Sequence, residues 1–332
     1  MSDLLRVVQY GLGPIGLEAL KLAAAKPWIE ILGGIDIDPA KAGRDLGELT
    51  GLPQLRGRPV VRTWEDLPAT TAPDLVLHTT VSSFPAACAQ LLPLARRGLQ
   101  VVSSCEEMVF PQLRHPELAA ELDAACRAGG ARMIGTGVNP GFVMDLLPVC
   151  LTGVSRSVRA VHIQRVVDAA TRREPLQRKI GSGQAPAAFR ERLAAGRAGH
   201  AGLRESLALV AHSLGWQVEA VVETGEPVVA TRDIRTQFLT VAAGETCGIH
   251  QRAEAQVAGR TCLTLDLQMY LGAPEPHDAI QIAGEPPVDV LIRGGVAGDQ
   301  ATVAVLVNTA RRLATVPPGL KLVTDLPVPR WA

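Results

Sequence analysis

The chain has 332 residues, of which 47% are hydrophobic, and its 33 basic residues equal its 33 acidic residues in number. This composition excludes a disordered protein, and the balanced charge provides no basic field for nucleic acid or an anionic membrane. Because a single core seldom grows beyond roughly 250–300 residues, the length predicts two domains, and a small-molecule substrate is the natural expectation.

Two further features bear on where the protein works. No apolar run reaches the roughly 20 residues of a membrane span, and the sequence enters a strand almost at once, which leaves no room for a signal peptide. The six cysteines are scattered, without a Cys-x-x-Cys pair or a suitably spaced histidine. We therefore expect buried free thiols in a cytoplasmic protein, and no metal site.

A short apolar strand at 7–10 leads through a glycine loop into a helix. The loop follows the pattern Gly-x-Gly-x-x-Gly, which in this strand-to-helix context predicts a turn that binds the pyrophosphate of a dinucleotide. The predicted cofactor-binding residues of the loop are Gly11, Gly13, Pro14, Ile15 and Gly16. Asp36 ends the next strand, 29–35, about 20 residues after the loop, where an acidic residue binds the adenosine ribose.

The segment after Asp36 leaves the choice of dinucleotide open. Asp36 repels a 2′-phosphate and favours NAD, whereas Lys41 and Arg44 lie close enough in sequence to pair with such a phosphate. Either cation alone is better explained as part of a solvent-exposed helix face. We expect NAD(H) to be preferred, with some use of NADP(H).

Later strands of the first domain end in small hydroxyl residues. Thr79 and Thr80 follow the strand at 74–78, and Ser104 follows the strand at 99–102. Ligands bind at the carboxyl ends of parallel strands, so we predict that these three residues contact the cofactor.

Glu106 and Glu107 come next and are the first residues placed for acid–base chemistry. Neighbouring side chains at the end of an extended strand point apart. We therefore expect one carboxylate to face the nicotinamide and the other to cap the following turn. From the local sequence alone, a pair of acids that merely favours a helix N-terminus is an equal alternative.

A cluster of Gly, Asn and Pro at 135–142 predicts the crossover into a second domain. Phe142, at its end, either walls a substrate pocket or simply packs in a core. Beyond it, strands follow one another without helical crossovers, which predicts an open mixed or antiparallel sheet with a face that a second subunit could cover. A helix at 301–314 should return to the first domain, and the tail at 317–329 should run extended along the surface.

The fold class is therefore α/β. An N-terminal Rossmann domain with a doubly wound parallel sheet is predicted for residues 1–140, completed by 300–332. A second, α+β domain, for substrate binding and dimerisation, is predicted for 141–299.

Seven motifs are distributed along the chain, at 11–16, 35–39, 104–107, 135–142, 165–169, 177–183 and 295–302. In these motifs the chain resembles the 2,4-diaminopentanoate dehydrogenase and native amine dehydrogenase family, within the wider group of dihydrodipicolinate-reductase-like proteins. The resemblance covers essentially the whole chain, and its later motifs are more specific than the glycine loop. A basic, histidine-rich substrate helix like that of dihydrodipicolinate reductase is absent, which argues against a diacid heterocycle as substrate.

The resemblance implies reversible reductive amination of a ketone or aldehyde with ammonia and NAD(P)H, in a homodimer. It places the essential carboxylate on Glu106, with Glu107 in reserve. Phe142, Arg165 and His277 become candidates for the substrate pocket, although Arg165 is equally well explained as a surface strand residue and His277 as a solvated loop residue. Asn139 and Asn308 become candidates for contact with the nicotinamide amide, or else ordinary turn and helix residues.

Two alternatives stay open. A different oxidoreductase on the same scaffold, of diaminopimelate or dipicolinate type, would turn over without ammonia. A dinucleotide sensor would bind NAD(P) without turnover, although the acidic pair at 106 and 107 argues mildly against it.

Overall fold

A computed structural model describes residues 4–332, which form two compact units. Unit 1 comprises residues 4–142 together with Ala297–Ala332, and unit 2 comprises Val143–Val296. No helix among the described residues is long and apolar enough to cross a membrane.

The helices and strands follow in chain order. Up to residue 142 they are β1 (Leu5–Tyr10), α1 (Pro14–Ala24), β2 (Ile29–Ile35), α2 (Leu46–Thr50), β3 (Val60–Val61), β4 (Leu75–His78), α3 (Phe84–Arg96), β5 (Gln100–Ser103), α4 (Pro116–Gly129) and β6 (Arg132–Gly135). Unit 2 contains α5 (Leu146–Thr152), β7 (Ser157–Asp168), α6 (Glu174–Lys179), α7 (Pro186–Ala194), α8 (Leu203–Ser213), β8 (Ala220–Val229), β9 (Ile234–Arg235), β10 (Thr240–Val241), β11 (Thr246–Val257), β12 (Arg260–Tyr270), β13 (His277–Glu285) and β14 (Val288–Arg293). The chain ends with α9 (Gly298–Leu313) and β15 (Gly319–Lys321).

Unit 1 is built on a parallel sheet of seven strands in the order β15-β6-β5-β4-β1-β2-β3. The strand order reverses between β1 and β4, which is the switch point where doubly wound sheets open a crevice for ligands. The glycine loop leaves β1 and Thr79 leaves β4, so both lie at this switch point. The sheet confirms the predicted doubly wound α/β architecture.

The C-terminal tail differs from its prediction. Residues Gly319–Lys321 form the edge strand β15 beside β6, and Leu320 packs into the core formed by α3 and α4. The prediction of a tail along the surface was therefore wrong for this stretch. Its backbone groups are paired with a neighbouring strand, and burial of Leu320 and Val323 stabilises that pairing.

Unit 2 contains a six-stranded sheet in the order β14-β13-β7-β12-β11-β8, in which only β7 and β12 run parallel. The sheet is thus mixed, as the succession of strands predicted. Ile163, Leu265 and Ile280 are buried on the apolar face of this sheet. Helix α8 contacts two of its strands, β11 and β12. The cation-rich segment after β7 is helical in part, as α6.

Candidate active site

The glycine loop after β1 is shaped by steric limits at two positions. Gly11 has a φ of +92°, and a Cβ there would lie 2.6 Å from the carbonyl oxygen of Thr79. A Cβ on Gly16 would lie 2.0 Å from the Gly11 carbonyl oxygen. Only glycine fits at either position, so the loop lies tight between α1 and the start of the segment after β4.

The N-terminus of α1 presents unpaired donors at this loop. Gly13 is the N-cap and provides no side-chain cap, and Pro14 has no N–H. The amides of Ile15 and Gly16 have no acceptor within residues 4–332. A Cβ on Gly13 would meet no atom within 4 Å, so the space in front of the loop is open. Free amides, a helix dipole and open space fit the phosphates of a dinucleotide.

Asp36 organises the loop through hydrogen bonds to two backbone amides. One carboxylate oxygen accepts the Leu12 amide at 2.7 Å, and the other accepts the Asp38 amide at 2.9 Å. Asp36 is 9% exposed, and Oδ1, which accepts only the Asp38 amide, retains a lone pair for a ribose hydroxyl. The predicted place of Asp36 at the end of β2 is therefore compatible with ribose binding.

The two cations near Asp36 have different surroundings. The Lys41 ammonium lies 3.3 Å from both Asp36 and Asp38. Burial disfavours its charge, but hydrogen bonds to Asp38 and Asp36 outweigh burial and raise the pKa of Lys41. Arg44 is exposed and forms no ion pair in the described part of the chain. Lys41 thus offsets the charge of Asp36, whereas the Arg44 guanidinium stays available to an incoming phosphate.

The hydroxyls of Thr79 and Thr80 are occupied by protein groups. Thr79 Oγ1 donates to the Gly11 carbonyl at 2.9 Å and accepts from Gln9 Nε2 at 2.9 Å. Thr80 Oγ1 donates to Gln90 Oε1 at 2.7 Å. Thr79 thus holds the glycine loop in place, whereas Thr80 is bound to α3, and direct contact of either residue with a cofactor stays a prediction.

The two adjacent glutamates lie on a 3-10 turn, Glu106–Val109, directly after β5. Glu107 accepts the Phe84 amide at 2.7 Å, at the first turn of α3, and lies 3.8 Å from His115 Nε2. Glu106 is half-buried, and its carboxylate has no hydrogen bond or ion pair within residues 4–332. Glu107 therefore has a structural role, and the Glu106 carboxylate remains free for chemistry. The capped element is α3, which precedes the pair, rather than the following turn that we predicted.

The residues before the glutamates support the turn. The Ser104 amide donates to the His78 carbonyl at 2.9 Å, which anchors the end of β5 to β4. The Cys105 thiol donates to the Ser82 carbonyl, and burial raises the pKa of Cys105 to about 12. Cys105 is thus a protonated structural thiol rather than a nucleophile.

The two asparagines predicted near the nicotinamide lie in different places. Both amide atoms of Asn139 are buried and have no hydrogen-bond partner among the described residues, which fits a missing polar ligand such as a carboxamide. Asn308 accepts the Ala332 amide and lines a cavity with Lys26 and Trp28. Trp28 precedes β2, so Asn308 lies at the amino edge of the sheet, opposite the glycine loop. Contact of Asn308 with the nicotinamide is therefore not part of our proposal.

In unit 2, Arg165 is buried, and its surface-strand interpretation is wrong. Its guanidinium donates to Asp278 Oδ1 at 2.6 Å and to the Val296 carbonyl at 2.7 Å. Asp278 Oδ2 in turn accepts the Val296 amide at 2.7 Å. The pair clamps the end of unit 2 through both backbone groups of one residue. Burial lowers the pKa of Arg165, against the opposing effect of Asp278.

The remaining substrate candidates are less constrained. His277 opens β13, with Nδ1 2.7 Å from the Glu275 carbonyl oxygen and Nε2 3.0 Å from Gln164 Oε1. Phe142 is half-buried. No group of three or more His, Cys, Asp or Glu that could hold a metal occurs in the described chain.

A family model now decides the broader identity. The model of the 2,4-diaminopentanoate dehydrogenase C-terminal domain matches residues 142–332, which is more than half of the chain. The chain belongs to this family. The family predicted from the sequence motifs is thereby confirmed, together with the enzyme class, a dinucleotide-dependent oxidoreductase.

Named relatives agree over nearly the whole length. The 2,4-diaminopentanoate dehydrogenase of Acetoanaerobium sticklandii is 29% identical, covering 98% of this chain and 94% of that protein. An amine dehydrogenase of Streptomyces virginiae is 24% identical, covering 98% and 97%. The solved amine dehydrogenase of Mycobacterium smegmatis matches with a TM-score of 0.87 at 25% identity, covering 99% and 97%.

For this member of the 2,4-diaminopentanoate dehydrogenase family, the glycine loop, the α1 amides and Asp36 would hold NAD(H) or NADP(H), the predicted cofactors. Two residues behind the loop were not predicted from the sequence. Gln9 donates to the Gly11 carbonyl at 3.0 Å, and His78 links β4 to β5 and α3. Each is a polar residue within an otherwise apolar strand, and this feature of the sequence could have identified both as candidates.

Proposed function

We propose that the protein is an NAD(P)H-dependent amine dehydrogenase that catalyses reversible reductive amination of a ketone or aldehyde with ammonia. The names of its relatives support the class of substrate. The observation that carries the proposal is the free carboxylate of Glu106, at the carboxyl edge of the sheet that also bears the dinucleotide loop. Glu107, one residue later, is held by the α3 amide and does not compete for the role.

In the deaminating direction, amine, oxidised dinucleotide and water give ketone, ammonia, reduced dinucleotide and a proton. When bound at the glycine loop, the dinucleotide would supply the acceptor for the hydride of the α-carbon. Glu106 accepts the proton that the ammonium form of the substrate must lose and releases it to solvent, and the carboxylate charge restored in this way stabilises the cationic iminium. The same carboxylate takes a proton from the water that attacks the iminium carbon. In reductive amination it returns these protons in the reverse order.

We keep Phe142, Arg165 and His277 as proposed substrate contacts. Phe142 would supply an apolar wall, and His277 a polar partner. Two of the five N–H donors of Arg165 are used by Asp278 and Val296, so a polar substrate group would have to meet one of the others. Asn139, with its unpaired amide, is our proposed partner for the nicotinamide carboxamide.

We further propose a cytoplasmic homodimer. An open mixed sheet supports dimerisation, because Val222 on β8 and Leu291 on β14 remain 49% and 53% exposed and would gain cover from a second subunit. Four free buried cysteines, at 88, 105, 126 and 247, support a reducing compartment. Light scattering coupled to gel filtration tests the dimer directly, and a monomer at micromolar concentration would contradict it.

The activity is tested by following NADH and NADPH absorbance near pH 9 with a panel of small ketones and aldehydes, with and without ammonium. We expect oxidation that requires ammonium. Turnover without ammonium would indicate another oxidoreductase on this scaffold. Tight NAD(P)H binding without any turnover would indicate a sensor.

Two matched variants test the carboxylate. Glu106→Gln should lower kcat by about 10²–10⁴-fold without a change in thermal stability, since its carboxylate has no partner to lose. Glu107→Gln should retain most of kcat but lower the melting temperature, because the charged acceptor at the start of α3 is lost. The opposite pattern would transfer the catalytic role to Glu107.

A further inference from the structure

Unit 1 contains a buried polar network centred on His78, the last residue of β4. His78 is 0% exposed, and its ring packs edge-on against Tyr10 with centroids 5.4 Å apart. Nδ1 lies 2.8 Å from Ser103 Oγ, while Nε2 lies 2.7 Å from Gln90 Oε1. The imidazole therefore joins β4 to β5 on one side and to α3 on the other.

The network assigns the imidazole tautomer. Nε2 faces the carboxamide oxygen of Gln90, so it carries the proton and donates. Nδ1 is then an acceptor, and Ser103 Oγ donates to it. Burial lowers the pKa of His78 to about 4, which keeps the ring neutral at any assay pH near or above neutrality.

Ser103 connects His78 to the 3-10 turn that begins at Glu106. Its Oγ accepts the amide N–H of Cys105, the residue directly before Glu106, at 3.1 Å. Because the hydroxyl proton points at His78 Nδ1, the Ser103 lone pairs face the Cys105 amide. An acceptor at the Nδ1 position thus fixes the rotor of the hydroxyl that holds the turn.

We propose that His78 is a positioning residue for Glu106, acting through the relay Nδ1, Ser103 Oγ and the Cys105 amide. The inference rests on the proposed role of Glu106 and adds to it the group that sets the carboxylate in place. His78 touches neither substrate nor cofactor in this role. Its Nε2 contacts with α3 are structural only.

Two substitutions of His78 test the contacts of its two ring nitrogens separately. His78→Asn retains an acceptor near the Nδ1 position and loses the Nε2 side, whereas His78→Gln retains a group near the Nε2 position and loses the Nδ1 side. Ser103→Ala removes the relay hydroxyl itself. Gln90→Leu is the matched control, since it removes the main α3 partner of Nε2 and leaves the Ser103 contact in place.

The kinetic experiment measures kcat and KM for all four variants in the ammonium-dependent assay. Misplacement of a reacting group by about 1 Å can cost up to about 10²-fold. We expect His78→Gln and Ser103→Ala to lower kcat by about tenfold or more at nearly constant KM for the dinucleotide. His78→Asn should restore kcat to within about threefold of wild type, and Gln90→Leu should stay within about twofold.

A second readout is independent of the reaction. Hydrogen–deuterium exchange of the peptide that contains Cys105 and Glu106 should accelerate in Ser103→Ala and His78→Gln, but not in His78→Asn. If His78→Asn and His78→Gln lower kcat and accelerate exchange equally, the role of His78 is general packing and the proposal is overturned. If the wild type shows no ammonium-dependent turnover, the proposed function fails, while the exchange pattern still decides whether His78 positions the turn.

Discussion

The buried ion pair of unit 2 can be tested by removing its members one at a time. Arg165 and Asp278 are 3% and 2% exposed, so neither charge has access to water when its partner is lost. Asp278→Leu leaves the guanidinium charge unpaired, and Arg165→Met leaves the carboxylate charge unpaired. Breaking one partner of a buried pair costs about 3–5 kcal/mol, which we expect for each single variant.

The double variant has a different expected cost. Both charges disappear together, and what remains is the loss of the two hydrogen bonds to the Val296 backbone, at about 1–3 kcal/mol each. Independent effects would give a double variant destabilised by about 6–10 kcal/mol. We expect it to be destabilised about as much as one single variant, which is a coupling energy of about 3 kcal/mol or more.

The assay is urea unfolding of the wild type, both single variants and the double variant, followed by circular dichroism at constant protein concentration. The difference between the double variant and the two singles gives the coupling free energy directly. Additive losses would refute the reasoning, because they would mean that each charge finds compensation without the other. The clamp on Val296 would then be incidental to the stability of unit 2.

Three further predictions concern unit 1. Burial lowers the pKa of His78 to about 4, so on acidification the histidine is protonated in the unfolded state before it is protonated in the folded state. The free energy of unfolding should therefore fall by about 3 kcal/mol as pH drops from about 6.5 to 4, and this component should vanish in His78→Asn. The same slope of unfolding free energy against pH in the variant as in the wild type would contradict the prediction. Gly13→Ala should leave the melting temperature unchanged, because no atom lies within 4 Å of the new Cβ. The variant should nevertheless bind NADH about tenfold more weakly, or worse, in a fluorescence titration, because the Cβ occupies the space predicted for the phosphates. Unaltered affinity would mean that the phosphates bind elsewhere. Asp36→Asn should raise the ratio of NADPH to NADH turnover by about tenfold, since the charge that repels a 2′-phosphate is removed and Lys41 loses one of its two charged partners. A constant ratio would show that Arg44 or another group decides the preference.

The fold class was predictable because its signals are local. Alternating strands and helices up to β6, and strands without crossovers after α8, follow from short-range hydrophobic patterns. The signal of the glycine loop is equally local. Gly11 has a φ of +92°, and a Cβ on Gly16 would clash with the carbonyl oxygen of Gly11, five residues earlier. The edge strand β15 escaped prediction because three residues between prolines and polar residues carry too little pattern to distinguish a strand from a tail.

The sequence by itself determined that a dinucleotide loop, an acid at the end of β2 and a pair of acids after β5 lie along one sheet edge. Only the tertiary structure decided what each side chain does there. Glu107 is occupied because an amide 23 residues earlier in the chain, at Phe84, lies against it, and this leaves Glu106 free. Arg165 is buried because Asp278, 113 residues away, supplies its counter-charge. Such pairings depend on which distant segments the fold brings together, and no spacing within a single stretch of sequence encodes them.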